Sequence, residues 1–272
     1  VRKLHRRLAA AADDPERRAR HLALSVTEPD DDVASSIADA ARSAASRGAP
    51  ETAVALAEHA LRLTPPSSEA RFARLVALAE GLMVTGEHAR VRDLIAPIVD
   101  RMPPGEERVR ARVLLVQSRW VDSHIDETGK ELAGALAESA RYPALHALLR
   151  ARWSKYLAIG RVERIAEAAH SAERALPEAR VAGAAVERVV LHELAWTRVL
   201  QGRPLDDVEE RMHAVSRDAP DVLHSYERVA AERLACRGEI ARARSTLEGL
   251  LEVADHRGDM WSYAVVRLQL CE

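Results

Sequence analysis

Aromatic residues are scarce in this 272-residue chain, which has four Trp, four Tyr and a single Phe. A core with so few rings cannot be the ring-filled interior of a typical β-sandwich. The excess of Ala, Leu, Val and Arg favours helices that approach closely over small and aliphatic side chains. Cysteine is nearly absent as well. Cys236 and Cys271 are too few and too close to one end to make a disulfide framework, so a reducing, cytoplasmic setting is expected. The longest apolar runs, such as Val113 to Val116, fall far short of the roughly 20 residues a membrane-spanning helix needs, and no signal peptide is read. A formal net charge of -2 gives no overall attraction to nucleic acid, so direct contact with DNA is not expected.

Signatures of chemistry are missing too. Gly129-Lys130 in DETGKEL has the end of a phosphate-binding loop, but His124 stands where that loop needs its first glycine and Glu131 where it needs Ser or Thr. His192-Glu193 in HELAW begins like a zinc-protease helix, yet Trp196 takes the place of the second ligand histidine. Neither cysteine has a CxxC partner, the 11 histidines form no ligand cluster, and no GxSxG or GxGxxG is present. The expectation is a chain with no enzyme activity, no metal and no cofactor of its own.

What is present is spacing. Ala53, Leu56, Ala57, Ala60 and Leu61 lie on one helical face, Pro50 suits the first turn, and Pro65 ends the helix. Val33, Ile37, Ala40, Ala41 and Ala44 repeat the pattern upstream, with Arg47-Gly48-Ala49 as the turn between them. Glycine recurs in this role at Gly86, Gly160, Gly202 and Gly238. The intervals are 38, 74, 42 and 36 residues, with 74 accommodating two repeats whose middle turn falls near His124. Proline recurs 17 residues after three of these glycines, at Pro65, Pro103 and Pro177, and one residue later still at Pro220. The residue eight before the turn is Ala40, Leu78, Leu194 or Ala230, with Arg152 as the exception.

This pattern resembles the tetratricopeptide repeat, most closely through Ala41, Ala53, Ala60 and Pro65. Elsewhere it is degenerate: Trp153 stands at a small-residue position, Val91 replaces an alanine, and Asp207 breaks the frame after Gly202. The expected fold is all-α, with tetratricopeptide-like hairpins stacked into a right-handed superhelix over residues 31–272. Residues 1–30 form a helical cap or a junction to an upstream region. The spacing predicts helices near 1–11 and 14–26, then pairs 32–46/50–63, 67–84/87–102, 105–121/128–139, 142–158/161–176, 180–201/204–217 and 220–237/239–254. A last helix begins near 258.

Aromatic and cationic residues gather near the ends of the first helices of the middle hairpins: Arg119 and Trp120; Arg152, Trp153 and Tyr156; Trp196 and Arg198. Such helices line the concave face in this repeat class. The seven residues are therefore candidates for a ligand- or partner-binding groove, with flat apolar contact from Trp and Tyr and anion binding from Arg. The alternative is that they fill gaps between hairpins.

Residues 4–66, with LHRRLA, DPERRARHLA, DDVA and AARSAASRGAPETAVALAEHAL, resemble a segment of the large ATP-binding LuxR-type transcriptional regulators of high-GC bacteria. In that family the segment follows a P-loop ATPase and winged-helix region and opens a helical-repeat module; a LuxR-type helix-turn-helix lies at the C-terminus. The resemblance implies a sensor or regulatory module excised from such a parent, with ATP, Mg and promoter DNA bound only by the missing domains. It implies a small-molecule inducer, a protein partner or self-association as what this segment binds. The remaining alternative is an interaction or self-assembly scaffold with no small ligand.

Overall fold

The computed structural model describes residues 1–120, 125–216, 222–257 and 259–271. Among these the chain is all-α, with fifteen α-helices, two short 3-10 turns and no strand. It divides into two compact units, residues 1–124 and 125–272.

The first unit contains α1 (Arg2–Ala11), α2 (Pro15–Ser25), α3 (Asp31–Ser46), α4 (Pro50–Leu63), α5 (Arg71–Val84), α6 (His88–Ile95) and α7 (Glu106–Trp120), with a 3-10 turn at Val99–Arg101 before α7. The helices pair as antiparallel hairpins, and each hairpin packs on the next: α2 lies on α3 and α4, α4 on α5, and α5 and α6 on α7. Local chemistry sets the helix starts. Asp14 and Asp30 accept the amides of Arg17 and Val33 as N-caps, and Pro15 and Pro50 occupy first turns where a missing N–H costs nothing. The small residues read from the sequence form the interface between α3 and α4. Ala34, Ile37, Ala40, Ala41 and Ala44 on α3 and Leu56, Ala60 and Leu63 on α4 are all buried.

One buried cation ties three helices of this unit. Arg74 on α5 donates to Asp31 Oδ1 at 2.6 Å, Thr64 Oγ1 at 2.7 Å and Ser35 Oγ at 2.6 Å, so it joins α3, the end of α4 and α5.

The second unit contains α8 (Ile125–Ser139), α9 (Pro143–Gly160), α10 (Ile165–Ala182), α11 (Ala184–Leu200), α12 (Asp206–Ser216), α13 (Tyr226–Cys236), α14 (Ile240–His256) and α15 (Met260–Cys271), with a 3-10 turn at Val162–Arg164. Hairpins α9/α10, α11/α12 and α13/α14 stack so that their first helices, α9, α11 and α13, are neighbours. Between α9 and α10 the interface is nearly all alanine: Ala147 and Ala151 meet Ala175 and Ala179, with Val190 of α11 closing the layer. A larger side chain there would hold the helices apart.

Four of the five predicted turn glycines take the left-handed conformation: Gly48, Gly86, Gly202 and Gly238, with φ of 78°, 78°, 68° and 77°. Each ends its helix with the same pair of backbone bonds. At Gly48 its own N–H reaches Ala45 O and the next N–H reaches Ala44 O; the equivalents are Gly86 to Met83 with Glu87 to Leu82, Gly202 to Val199 with Arg203 to Arg198, and Gly238 to Ala235 with Glu239 to Leu234. This is the Schellman arrangement, which glycine adopts without the Cβ clash.

Gly160 differs from the expectation. It is the last residue of α9, and the left-handed glycine in this region is Gly183, φ 109°, between α10 and α11. Pro177, expected to stop its helix, lies inside α10, which runs on to Ala182. Its ring removes one amide donor, but the continuous buried row Ala168, Ala172, Ala175 and Ala179 outweighs that loss by keeping the helix face packed. Beyond Gly202, α12 begins at Asp206, so the helix opens one residue before Asp207. The middle turn expected near His124 lies outside the described residues.

Candidate functional site

Seven candidates came from the sequence, and the structure distributes them differently from their order in the chain. Arg152, Trp153 and Tyr156 share α9. Trp153 is half-buried and its ring centre lies 5.4 Å from that of Tyr156, which is 7% exposed. The Tyr156 hydroxyl rests over Gly129 on α8; a Cβ built there would fall 2.5 Å from the Tyr156 ring carbon Cζ and nearer still to its hydroxyl. Gly129 therefore serves as a notch for an aromatic ring, inside a helix that starts earlier than predicted. Tyr156 thus packs against α8 at this notch.

Trp196 and Arg198 do not act together. Two residues along a helix are about 200° apart in direction, and Arg198 turns to its own hairpin partner, where it donates to Asp207 Oδ1 at 2.6 Å. Asp207 is correspondingly held below the ordinary carboxylate range, chiefly by that hydrogen bond. Trp196 instead faces His192 and Arg228. Its ring is stacked 6.0 Å from that of His192, and the Arg228 guanidinium lies 5.3 Å from its centre. Arg119 is half-buried on α7, in the first unit. The Trp120 side chain lies outside the described residues.

Around Trp196 the three neighbouring first helices assemble a polar centre: Arg152 and Lys155 from α9, His192 and Glu193 from α11, and Arg228 from α13, with His224 just ahead of it. His192 and Glu193 are each 1% exposed. Glu193 Oε1 lies 3.6 Å from His192 Nδ1 and 3.9 Å from Lys155 Nζ. The His192 and His224 rings meet edge to face at 5.4 Å.

Burial governs the protonation of this centre. It pushes the His192 imidazole down to about 3, with the Arg228 charge adding to the effect and Glu193 opposing it, so His192 is neutral near pH 7. Burial also pulls the Lys155 ammonium down, against Glu193 and with Arg152 and Arg228. For Glu193, burial acts to raise the carboxyl, but Lys155, His192 and Arg152 outweigh it and hold it below its usual range. Near pH 7 an ionised Glu193 therefore lies beside a neutral His192.

Of this centre the sequence marks Arg152 and Trp196, and carries His192-Glu193 only as an incomplete zinc motif. Lys155, His224 and Arg228 were missed. A helical signal was available: Arg152, Lys155 and Tyr156 share a face, as do Arg188, His192 and Trp196. No group of His, Cys, Asp or Glu among the described residues is arranged to hold a metal ion. No helix among them is long and apolar enough to cross a membrane.

A second feature lies in the first unit, where Pro29, Leu61, Arg62, Pro66, Arg71 and Leu78 line an open concavity of about 420 Å³. Its arginines are engaged by backbone carbonyls: Arg62 donates to Ala23 O and Arg71 to Thr64 O.

No family model matches the chain, and no curated protein matches it. Among solved structures it is similar to a Rap protein complexed with competence and sporulation factor. That match has a TM-score of 0.59 and 12% identity, and covers 94% of this chain and 79% of the other. At that identity the likeness is one of fold, and the chain is an all-α helical-repeat protein.

Proposed function

We propose that this chain is the sensor or regulatory module of a larger LuxR-type, ATP-dependent transcriptional regulator, and that it receives an inducer or a protein partner on the α9–α11–α13 face of its second unit. The observation that carries the reading is the polar centre around Glu193. Repeat stacking needs only apolar and small contacts, as the alanine layer between α9 and α10 illustrates. Buried ionic groups are poor contributors to stability, so an ionised carboxylate and a neutral histidine kept inside such a layer favour a recognition role. Half-buried Trp153 and Trp196 add flat apolar surface beside them. The parent regulator rests on the resemblance of residues 4–66; ATP hydrolysis and promoter binding would belong to its other domains.

A second reading is an interaction or self-assembly scaffold without a small ligand. It is favoured by the complexed state of the Rap protein of similar fold and by the open, largely apolar concavity of the first unit.

A thermal-shift screen of the chain against sugars, nucleotides, amino acids and short peptides separates the two. A ligand at 100 times its Kd stabilises the folded state by about 2.7 kcal/mol. The sensor reading expects such a shift, and its loss in a folded Trp196→Ala variant. No shift from any class, together with capture of a protein partner or of a second copy that a folded Trp196→Ala variant binds equally well, would overturn the sensor reading and leave the scaffold.

A further inference from the structure

Two side chains of the polar centre in the second unit, His192 and Glu193, keep buried polar atoms without a hydrogen bond. Glu193 Oε1 and both ring nitrogens of His192 are buried and have no hydrogen-bond partner among the described residues. His192 Nδ1 at 3.6 Å and Lys155 Nζ at 3.9 Å are the neighbours of that oxygen, and both lie beyond the roughly 3.2 Å limit of a good N–H···O bond.

The chemistry of the three groups restricts what fits among them. An ionised carboxylate only accepts, an ammonium only donates, and a neutral imidazole donates from one nitrogen and accepts at the other. A carboxylate or phosphate entering here would confront the Glu193 charge at close range. An ammonium would confront Lys155, with Arg152 and Arg228 acting on the same point. A hydroxyl meets both sides from a single oxygen: it donates to Glu193 Oε1 and accepts from Lys155 or His192. Polar contacts separated by more than about 3.5 Å are the ones a bridging oxygen joins.

Lys155, beside Glu193 Oε1, retains 21% of its side-chain exposure, and Trp196, whose ring stacks on that of His192, is half-buried, so residues next to the centre reach the surface. We infer that the Lys155–His192–Glu193 centre binds a hydroxyl group of a neutral ligand, the hydroxyl bridging the Glu193 carboxylate and the Lys155 ammonium. This rests on the receptor reading above and assigns the class of ligand to that same face.

The test soaks crystals of the whole chain separately in ethylene glycol, sodium acetate and ethylammonium chloride at equal concentration. The expected result is a glycol oxygen within hydrogen-bond distance of Glu193 Oε1 and Lys155 Nζ, with neither ion at that position. In solution, the ring-nitrogen NMR shifts of His192 are expected to move saturably with ethylene glycol. Glu193→Gln, which keeps an acceptor, should respond within about threefold of the native protein, and Glu193→Leu at least tenfold more weakly. If Glu193→Leu does not fold, Lys155→Met removes the donor and serves the same comparison.

A direct Lys155–Glu193 bond, acetate or ethylammonium in the centre, or a glycol response unchanged in Glu193→Leu (an adventitious additive only) would overturn the inference. Failure here is distinguishable from failure of the receptor reading. A charged compound found by thermal shift and bound equally well by Glu193→Leu overturns the hydroxyl site alone, whereas the receptor reading falls only if no class of compound binds.

Discussion

Arg74 in the first unit and Glu193 in the second are both buried charges on the first helix of a hairpin, and they are served very differently. Arg74 reaches a carboxylate and two hydroxyls at 2.6–2.7 Å, and Thr64, one of those hydroxyls, in turn donates a hydrogen bond to Ala60 O. Asp31 at the other end is held below the ordinary carboxylate range by the bonds from Arg74 and Ser68. The Glu193 oxygen meets its neighbours only at 3.6 and 3.9 Å. The first arrangement is a clamp whose polar atoms satisfy one another. The second leaves one carboxylate oxygen, Glu193 Oε1, buried without a short bond to offset its desolvation.

Paired substitutions put the largest strain on this comparison. Arg74→Ala strips three short bonds and leaves a buried hydroxyl behind, so it is expected to cost about 3 kcal/mol in chemical denaturation. Lys155→Met or Glu193→Leu alone should cost a similar amount by removing the opposite charge nearest the other group. The Lys155→Met/Glu193→Leu double variant should return to within about 1 kcal/mol of the native protein, because well-packed apolar groups replace a buried pair at little net cost. A double variant as unstable as the sum of the singles would mean that Lys155 and Glu193 are not coupled and that each is held by separate contacts.

Acid gives the next largest effect. The His192 pKa is depressed to about 3 in the folded chain, so below the unfolded value of 6.5 the unfolded state binds a proton that the folded state refuses. Stability is therefore full above that value and falls as pH drops towards 3, with a slope approaching about 1.4 kcal/mol per pH unit for this one group. Glu193, also depressed, adds loss of the same sign below about 4.5. Lys155, Arg152, Arg228 and His224 are the other charged and titratable groups acting on this pair. His59 and His146 shift in the same direction, chiefly through burial, so the measurement is the difference between native and His192→Phe protein in denaturation from pH 7 to 4. The variant should show the shallower slope; equal slopes would place the acid sensitivity elsewhere.

The smallest effects come from two helical glycines, one in each unit. Gly129→Ala drives a methyl into the Tyr156 hydroxyl and ring and should cost about 1–2 kcal/mol. Gly81→Ala brings a methyl only to 3.0 Å from the Val54 Cγ2, a side-chain atom that can yield, and the helix propensity gained is about 1 kcal/mol. Its melting temperature should stay close to the native one.

Much of the architecture was legible because it depends on residues with unmistakable backbone consequences. Gly48, Gly86, Gly202 and Gly238 mark turns that require positive φ, and Pro50 and Pro65 bound α4. The reading failed where tertiary packing overrides such marks: Gly160 stays helical, Pro177 is carried inside α10, and Gly183 takes the turn. The site was less legible. Trp196 and Arg198 are close in sequence but point in opposite directions, and Tyr156 is fixed by a glycine 27 positions away. Lys155, His192, Glu193 and Arg228 become one centre only when three helices from three hairpins pack together, and that register is not written in any single helix.

The four Schellman turns carry a consequence for how such a chain can change. Each of these four bends is stored in two main-chain bonds and one glycine, so side chains along α3, α5, α11 and α13, the helices that the bends follow, can vary without losing the bend. A scaffold whose shape is held by its backbone can exchange the chemistry of its lining, one ligand class for another, while its repeats drift far from any consensus and still fold.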